Sequence, residues 1–502
     1  MFYRVKLSLS RVIRGAVWLS VGVIFSNFFG FIYWLIVSRI VEVGLVGKVA
    51  AILGIEALIV GFIGLGVSVS VQKFISAAYS RRDYEGLSRY YYSTTMLLFT
   101  LSLTVGILLL ILSLTHGELF SLDPLSVIFL SILIVCGFNG WSVIGQSFFN
   151  AIIKPEYTTL TQVSSSLIRL TISLLLIYLG YGFLGLMMGY IVAGLTTSVL
   201  MLALPINMLR KLGARFSLSI KSIRDSVKAG MATWIPNILT LLSQWIGVLG
   251  VYSMVGLAET GLYFIAFMIA SVAMSLPQSI LTLSFPYISG ISDCRKQVMA
   301  RAVKISTSLM APIAFFLILY PSTITDFIGE TYHEASGLIR ILALGYLVSP
   351  INTGYVYYVY AIGRYRDVLI AGLAGTIPRL FLYPIMISLH KDIGAAAAFS
   401  IGNTTTLLAV VTCAQRINYD LRLKEYLKIV AMPSAISILL MLFNMHWTGG
   451  LVSLSTSYVI YTKLKIVTRE DLREIGESLV SRKILEKLYP YLRPLLSIIY
   501  GS

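Results

Sequence analysis

The sequence predicts an all-α polytopic membrane protein with about fourteen transmembrane helices, in two six-helix lobes related by an internal repeat plus two extra C-terminal helices. Three observations lead there. Of 502 residues, 57% are hydrophobic and only 12% charged, whereas a soluble chain of this size carries about 25% charge. Apolar windows of about twenty residues, the length that crosses ~30 Å of hydrocarbon, recur from end to end. The lysines and arginines crowd onto alternate connections between those windows, as the positive-inside rule requires.

The predicted spans cover 15–37, 47–68, 90–114, 125–146, 158–179, 184–206, 229–252, 259–283, 303–322, 338–360, 368–389, 394–414, 429–446 and 449–465. The first apolar run has a basic flank but exceeds a signal-peptide core and lacks a small-residue cleavage site, so it reads as a retained helix. With the N-terminus inside, 33 of the 39 Lys and Arg residues fall on inner segments, against Arg39, Lys48 and Lys391 on outer loops. This places both termini in the cytoplasm and the protein in the cell membrane. The net charge of +17 then faces anionic lipids of the inner leaflet rather than nucleic acid.

An internal repeat orders the spans. Residues 37–52 resemble 251–266, with Gly47 over Gly261; 74–80 resemble 287–293; "LIRL" at 167–170 resembles "IPRL" at 377–380; and Gly185 falls over Gly394. The offset drifts only from 214 to 209 along four matches in the same order. Each repeat holds an even number of spans, so the halves share one topology and the substrate site is expected between them. The predicted organisation is an N-terminal lobe (1–206), a basic cytoplasmic linker (207–228), a C-terminal lobe (229–414), two further membrane helices (415–465) and a cytoplasmic amphipathic tail (466–502).

Charges at mid-depth are few: Glu56, Arg169 and Arg379. A charge there costs at least ~2.5–3.5 kcal/mol on insertion scales and is retained where it meets a partner, a cavity or a substrate. Arg169 and Arg379 hold equivalent places in spans five and eleven, which suggests one shared anionic site. Arginine suits phosphate because its planar fork binds two oxygens. The plainer alternative pairs Glu56 with one arginine as a structural ion pair. Arg39 and Lys48 are candidates for an outer vestibule, or ordinary interface residues. Asn27 and Gln244, with Asn139, Asn352 and Asn403, lie in spans and could bond sugar hydroxyls or neighbouring helices. The four histidines fall on outer loops, and three scattered cysteines make no spaced metal or disulfide pattern. No phosphate-binding glycine loop, HExxH or nucleophile elbow occurs, so neither catalytic residues nor a cofactor or metal is expected.

The chain resembles the polysaccharide-transporter branch of the multidrug/oligosaccharidyl-lipid/polysaccharide exporter superfamily, the Wzx-like flippases, over nearly its whole length. The residues that carry the resemblance are Arg39 at the end of span one, Gly47 opening span two, and "GLGVSVSVQKFIS" with Gly66 and Lys73. Val46 stands where the family usually has an aromatic, and Lys48 is an unusual neighbour. The resemblance implies a flippase for a lipid-linked oligosaccharide, whose lobes rock around a hydrated cavity while the polyprenyl tail stays in lipid, with polysaccharide assembly enzymes as partners. The rival readings are a multidrug or cation exporter of the same superfamily and a membrane glycosyltransferase or polymerase.

Overall fold

A backbone surrounded by hydrocarbon has no water to bond, so its N–H and C=O groups must be satisfied internally, and helix is the result. The computed structural model describes residue 22 and residues 25–117, 119–137, 139–290, 294–442 and 447–464. The expected amphipathic tail and His446 lie outside the described residues, which are helical apart from turns and one isolated bridge, Leu119 to Leu122. Among them nine helical stretches are long and apolar enough to cross a membrane, and Phe25–Ile40 and Pro124–Cys136 are shorter apolar helices.

The chain forms two compact units, Met1–Gly261 and Leu262–Ser502. The first holds α1 (Phe25–Ile40), α2 (Val43–Ile63), α3 (Val67–Ser80), α4 (Tyr84–His116), α5 (Pro124–Cys136), α6 (Val143–Ala151), α7 (Glu156–Tyr178), α8 (Gly182–Lys211), α9 (Ile220–Met254) and the start of α10 (Leu257–Gly290). The second holds the rest of α10, α11 (Arg295–Leu319), a short α12 (Ser322–Ile328), α13 (Ala335–Tyr346), α14 (Ser349–Ala361), α15 (Tyr365–Arg416), α16 (Leu423–Leu442) and α17 (Trp447–Lys463). The 52 residues of α15 cover two predicted spans, and non-helical backbone at His390 and Lys391 divides them.

Two predicted spans of the first unit are broken. Span two is α2, ended short at Leu65 and Gly66, whose φ values are 47° and 64°, before α3 begins. Span four becomes α5 and α6, parted after Gly137 at φ 69°. A helix interrupted in a membrane frees carbonyls that must find donors, and here they do. The indole of Trp234 on α9 donates to the carbonyls of Gly61 and Phe62 at 3.3 and 3.2 Å. At the second break Trp141 donates to Val135 O at 3.0 Å, Ser142 to Gly137 O at 2.5 Å, and Ser198 of α8 to Cys136 O.

Small residues let the helices approach. Gly47, Gly54 and Gly61 recur every seventh residue on α2, one face of the helix. A Cβ on Gly54 would lie 2.9 Å from Trp245, and one on Gly61 2.3 Å from Leu241, both on α9. The glycines that the repeat superposes touch each other: a Cβ on Gly47 would lie 1.9 Å from Leu257 O and 2.7 Å from Gly261 N. Close packing of this kind takes the place of a hydrophobic drive between helices in lipid. Beneath α3, α4, α6 and α8 a conventional apolar core buries Ile75, Leu87, Tyr91, Phe148 and Phe149.

Helices α7 and α8 form a tight hairpin, and so do the two halves of α15. Gly185 packs on Leu176 and Ile177, and Gly394 on Met386 and Ile387. The contacted residues are related by an offset of 210, one more than the 209 that relates the two glycines.

Candidate functional site

The hairpins carry the mid-depth arginines. Arg169 lies in the middle of α7. Its Cζ is 4.8 Å from the ring centroid of Tyr33 on α1 and 4.9 Å from that of Tyr190 on α8. The two rings stand 5.9 Å apart at 89°, so the guanidinium occupies an aromatic corner. Tyr33 is fixed by a 3.2 Å hydrogen bond with Ser173, one turn along α7 from Arg169. Gly189 brings α8 close at this level, since a Cβ there would meet Ser173 Oγ.

Arg379 repeats the arrangement in the second unit. Its Cζ lies 4.8 Å from the ring of Phe399. Tyr190 and Phe399 are separated by the same offset as Gly185 and Gly394, so the repeat has kept an aromatic ring opposite each arginine. A Cβ on Gly402 would lie 2.3 Å from Arg379 Nε; a bare Cα makes room for the guanidinium. Arg379 Nη2 donates to Asn403 Oδ1 at 2.6 Å and to Phe399 O at 3.4 Å. Asn403 is anchored in turn, donating to Gly345 O at 3.1 Å while its own carbonyl accepts from Asn352 at 3.0 Å. Predicted polar residues Asn352 and Asn403 thus hold Arg379 in place.

An aromatic ring covers the face of a guanidinium without neutralising it, and contributes about 0.5–2 kcal/mol. The N–H donors lie in the plane, away from that face. Among the described residues neither arginine has a carboxylate partner, and the buried Nε of each makes no hydrogen bond. Two cations are therefore oriented with donors to spare, an arrangement fit for a planar or tetrahedral oxyanion.

Glu56 does not meet either arginine. It is 1% exposed on α2, and both carboxylate oxygens accept from Asn139 Nδ2, at 3.0 and 3.3 Å. Asn139 sits in the break between α5 and α6, so the break delivers the amide to the acid. Lys48, near the start of α2, forms an ion pair with Asp123 at 2.7 Å and lies 4.6 Å over the Phe183 ring. Arg39 is exposed at the end of α1, and Asn27 and Gln244 are exposed on α1 and α9. Among the described residues no group of three or more His, Cys, Asp or Glu could hold a metal ion. Sequence reasoning missed the aromatic partners Tyr33, Tyr190 and Phe399. The signal for two of them was available: extending the repeat by the offset of Gly185 and Gly394 pairs Tyr190 with Phe399.

Residues 12–292 match the family described as polysaccharide biosynthesis protein. The chain belongs to that family. A search of curated proteins finds no match. Among solved structures, the family fold seen here is similar to that of the lipid II flippase MurJ in an inward closed conformation, at 16% identity and TM-score 0.74, over 89% of this chain and 99% of that one. It is also similar to an inward-facing multidrug resistance MATE family transporter of the MOP superfamily, at 14% identity and TM-score 0.67, over 80% and 98%. A MOP superfamily transporter from Pyrococcus furiosus, titled for the reverse polarity of its binding pocket, matches at 15% identity and TM-score 0.56, over 81% and 96%. This member of the polysaccharide biosynthesis family is thus a multi-pass membrane protein with the fold of MOP-superfamily transporters.

Proposed function

We propose that the protein is a flippase that moves a polyprenyl-diphosphate-linked oligosaccharide across the cytoplasmic membrane by alternating access, for surface polysaccharide or glycoprotein assembly. The observation that carries this reading is the repeated arginine–aromatic pair: Arg169 against Tyr33 and Tyr190, and Arg379 against Phe399. Rings keep each cation oriented but charged, and a diphosphate supplies the oxygens it lacks. In this reading Asn27 and Gln244 contact sugar, Arg39 and Lys48 line the outer entrance, and Glu56 is the acid that offsets part of the positive charge at mid-depth. The fourteen-span topology with both termini inside, the five-segment division of the chain, and polysaccharide assembly enzymes as partners belong to the same proposal.

The test is reconstitution in vesicles with a lipid-linked glycan, measuring whether the headgroup becomes accessible on the opposite face without covalent change. Arg169→Ala or Arg379→Ala should each slow flipping by about tenfold or more, since a charge-assisted hydrogen bond to a buried partner is worth ~1.5–3 kcal/mol. Lysine should rescue partly, keeping the charge and losing the fork. Well-folded alanine variants that flip at the normal rate would overturn the reading. Export of organic cations that depends on Glu56 would favour the drug-exporter alternative, and growth of the glycan chain would favour a polymerase.

A further inference from the structure

The second unit carries a groove that the transport reading does not use. It is an open groove formed by α11, α14, the turn 417–422 and the start of α16. Its lining mixes chemistries: the apolar Val303, Ile351 and Ile429 stand among Lys304, Arg422, Tyr355 and Tyr426.

Three donors on that lining have nothing to bond. Tyr355 is 1% exposed and Tyr426 8% exposed, and neither hydroxyl has a hydrogen-bond partner. Lys304, half-buried on α11, makes no ion pair or hydrogen bond among the described residues. A buried hydroxyl without a partner is costly, and a Lys ammonium can donate three times. The acidic residues of the groove are already engaged. Asp420 accepts from the backbone of Arg422 at 2.8 Å, and Glu425 faces the Arg422 guanidinium at 3.8 Å. The turn is held in shape by Lys296, which donates to Asn418 O at 2.9 Å, and by Tyr419, whose N–H bonds Ala414 O at 2.9 Å.

We propose that this groove binds the phosphate of a phospholipid headgroup from the cytoplasmic leaflet. Lys304, Tyr355 and Tyr426 supply the donors, and Val303, Ile351 and Ile429 beside them offer apolar contact to the start of the acyl chains. The charge bias assigns 295–304 and 416–428 to the cytoplasmic surface, at the depth where headgroup phosphates lie. Occupancy ties α16 to α11 and α14, and Tyr461 of α17 is already bonded to Ile429 O at 2.6 Å. The bound lipid therefore fastens the C-terminal helix pair to the rest of its unit. The inference holds whatever the transported substrate is.

The experiment measures thermal unfolding and native mass spectra of the full chain in detergent. Short-chain phosphatidylglycerol, the diacylglycerol lacking its phosphate, and inorganic phosphate are added in parallel. Phosphatidylglycerol should raise the unfolding midpoint and appear as a retained adduct, while diacylglycerol and inorganic phosphate do neither. Lys304→Gln and the double variant Tyr355→Phe/Tyr426→Phe should each weaken lipid retention by about tenfold, and Lys304→Arg should keep it. Each variant removes the ammonium or the hydroxyls with little loss of volume, and their elution profile and lipid-free midpoint check the fold. Equal stabilisation of wild type and variants, stabilisation by diacylglycerol, or full protection by inorganic phosphate alone would each overturn the proposal.

Discussion

At the level of single residues, Lys48 and Asp123 lend themselves to a direct test. Asp123 precedes Pro124 at the start of α5, outside the membrane-spanning stretch. Burial pushes its carboxyl up, but hydrogen bonds from Lys48 and Ser126 outweigh that and hold it below the usual 3.8. A carboxyl lowered by folding stabilises the fold above its ordinary value, and that contribution is lost as pH falls through the lowered one. Asp123→Asn should therefore reduce the unfolding midpoint at pH 7 by a small amount, worth ~0.2–1 kcal/mol for so exposed a pair, and the difference should shrink progressively as pH falls below 3.8. A pH-independent loss would mean that helix capping, not the ion pair, is what Asp123 supplies. The residue scale is also where the sequence was most and least informative. Arg169 and Arg379 stood out because a charge amid apolar residues needs no partner to be noticed. Their rings did not, since tyrosine and phenylalanine are common in any membrane helix. The Glu56–Asn139 pair was hidden for another reason. It exists only because the chain breaks at Gly137 and turns Asn139 back toward α2.

At the level of elements, the helical, membrane-spanning character of the chain was legible from length and hydropathy, and the described parts of the predicted stretches are mainly helical. The breaks within spans two and four were not, because a hydropathy window averages across a glycine. "GFIGLG" and "CGFNG" were the local signals, and what decides between kink and continuous helix is whether donors such as Trp234 and Ser198 meet the freed carbonyls. The α2 stripe gives a graded expectation. Gly47→Ala would drive a methyl against the backbone of Leu257 and Gly261, whereas Gly61→Ala meets only the flexible end of Leu241. The first should cost about 1–3 kcal/mol as an overpacked contact with rigid backbone, and the second clearly less. Unfolding midpoints in detergent would rank them, and the reverse order would show that α2 and α10 separate easily at Gly47.

At the level of the whole molecule, the proposed cargo carries charge across a charged barrier. Moving a diphosphate of about −2 outward through an inside-negative membrane gains roughly 4–5 kcal/mol per 100 mV. An imposed potassium diffusion potential in vesicles should therefore accelerate flipping when negative inside and slow it when reversed. Glu56→Gln should leave that response intact; loss of transport together with loss of proton movement would point instead to obligatory proton coupling. The tight hairpins bear on how such a protein is made. The joint between the halves of α15 is essentially His390 and Lys391, and α7 passes to α8 across Leu179 to Tyr181. So short a connection favours entry of the two helices into the bilayer together during synthesis. Each arginine then enters beside its own ring, Tyr190 or Phe399, carried by the helix that follows it. A ribosome-coupled insertion assay should find the segment 156–211 inserting better than 156–181 followed by a neutral linker, by the ~0.5–2 kcal/mol that a ring lends a cation. Tyr190→Ala should remove most of that difference, making the aromatic ring a chaperone for the charge before it is ever a neighbour of a substrate.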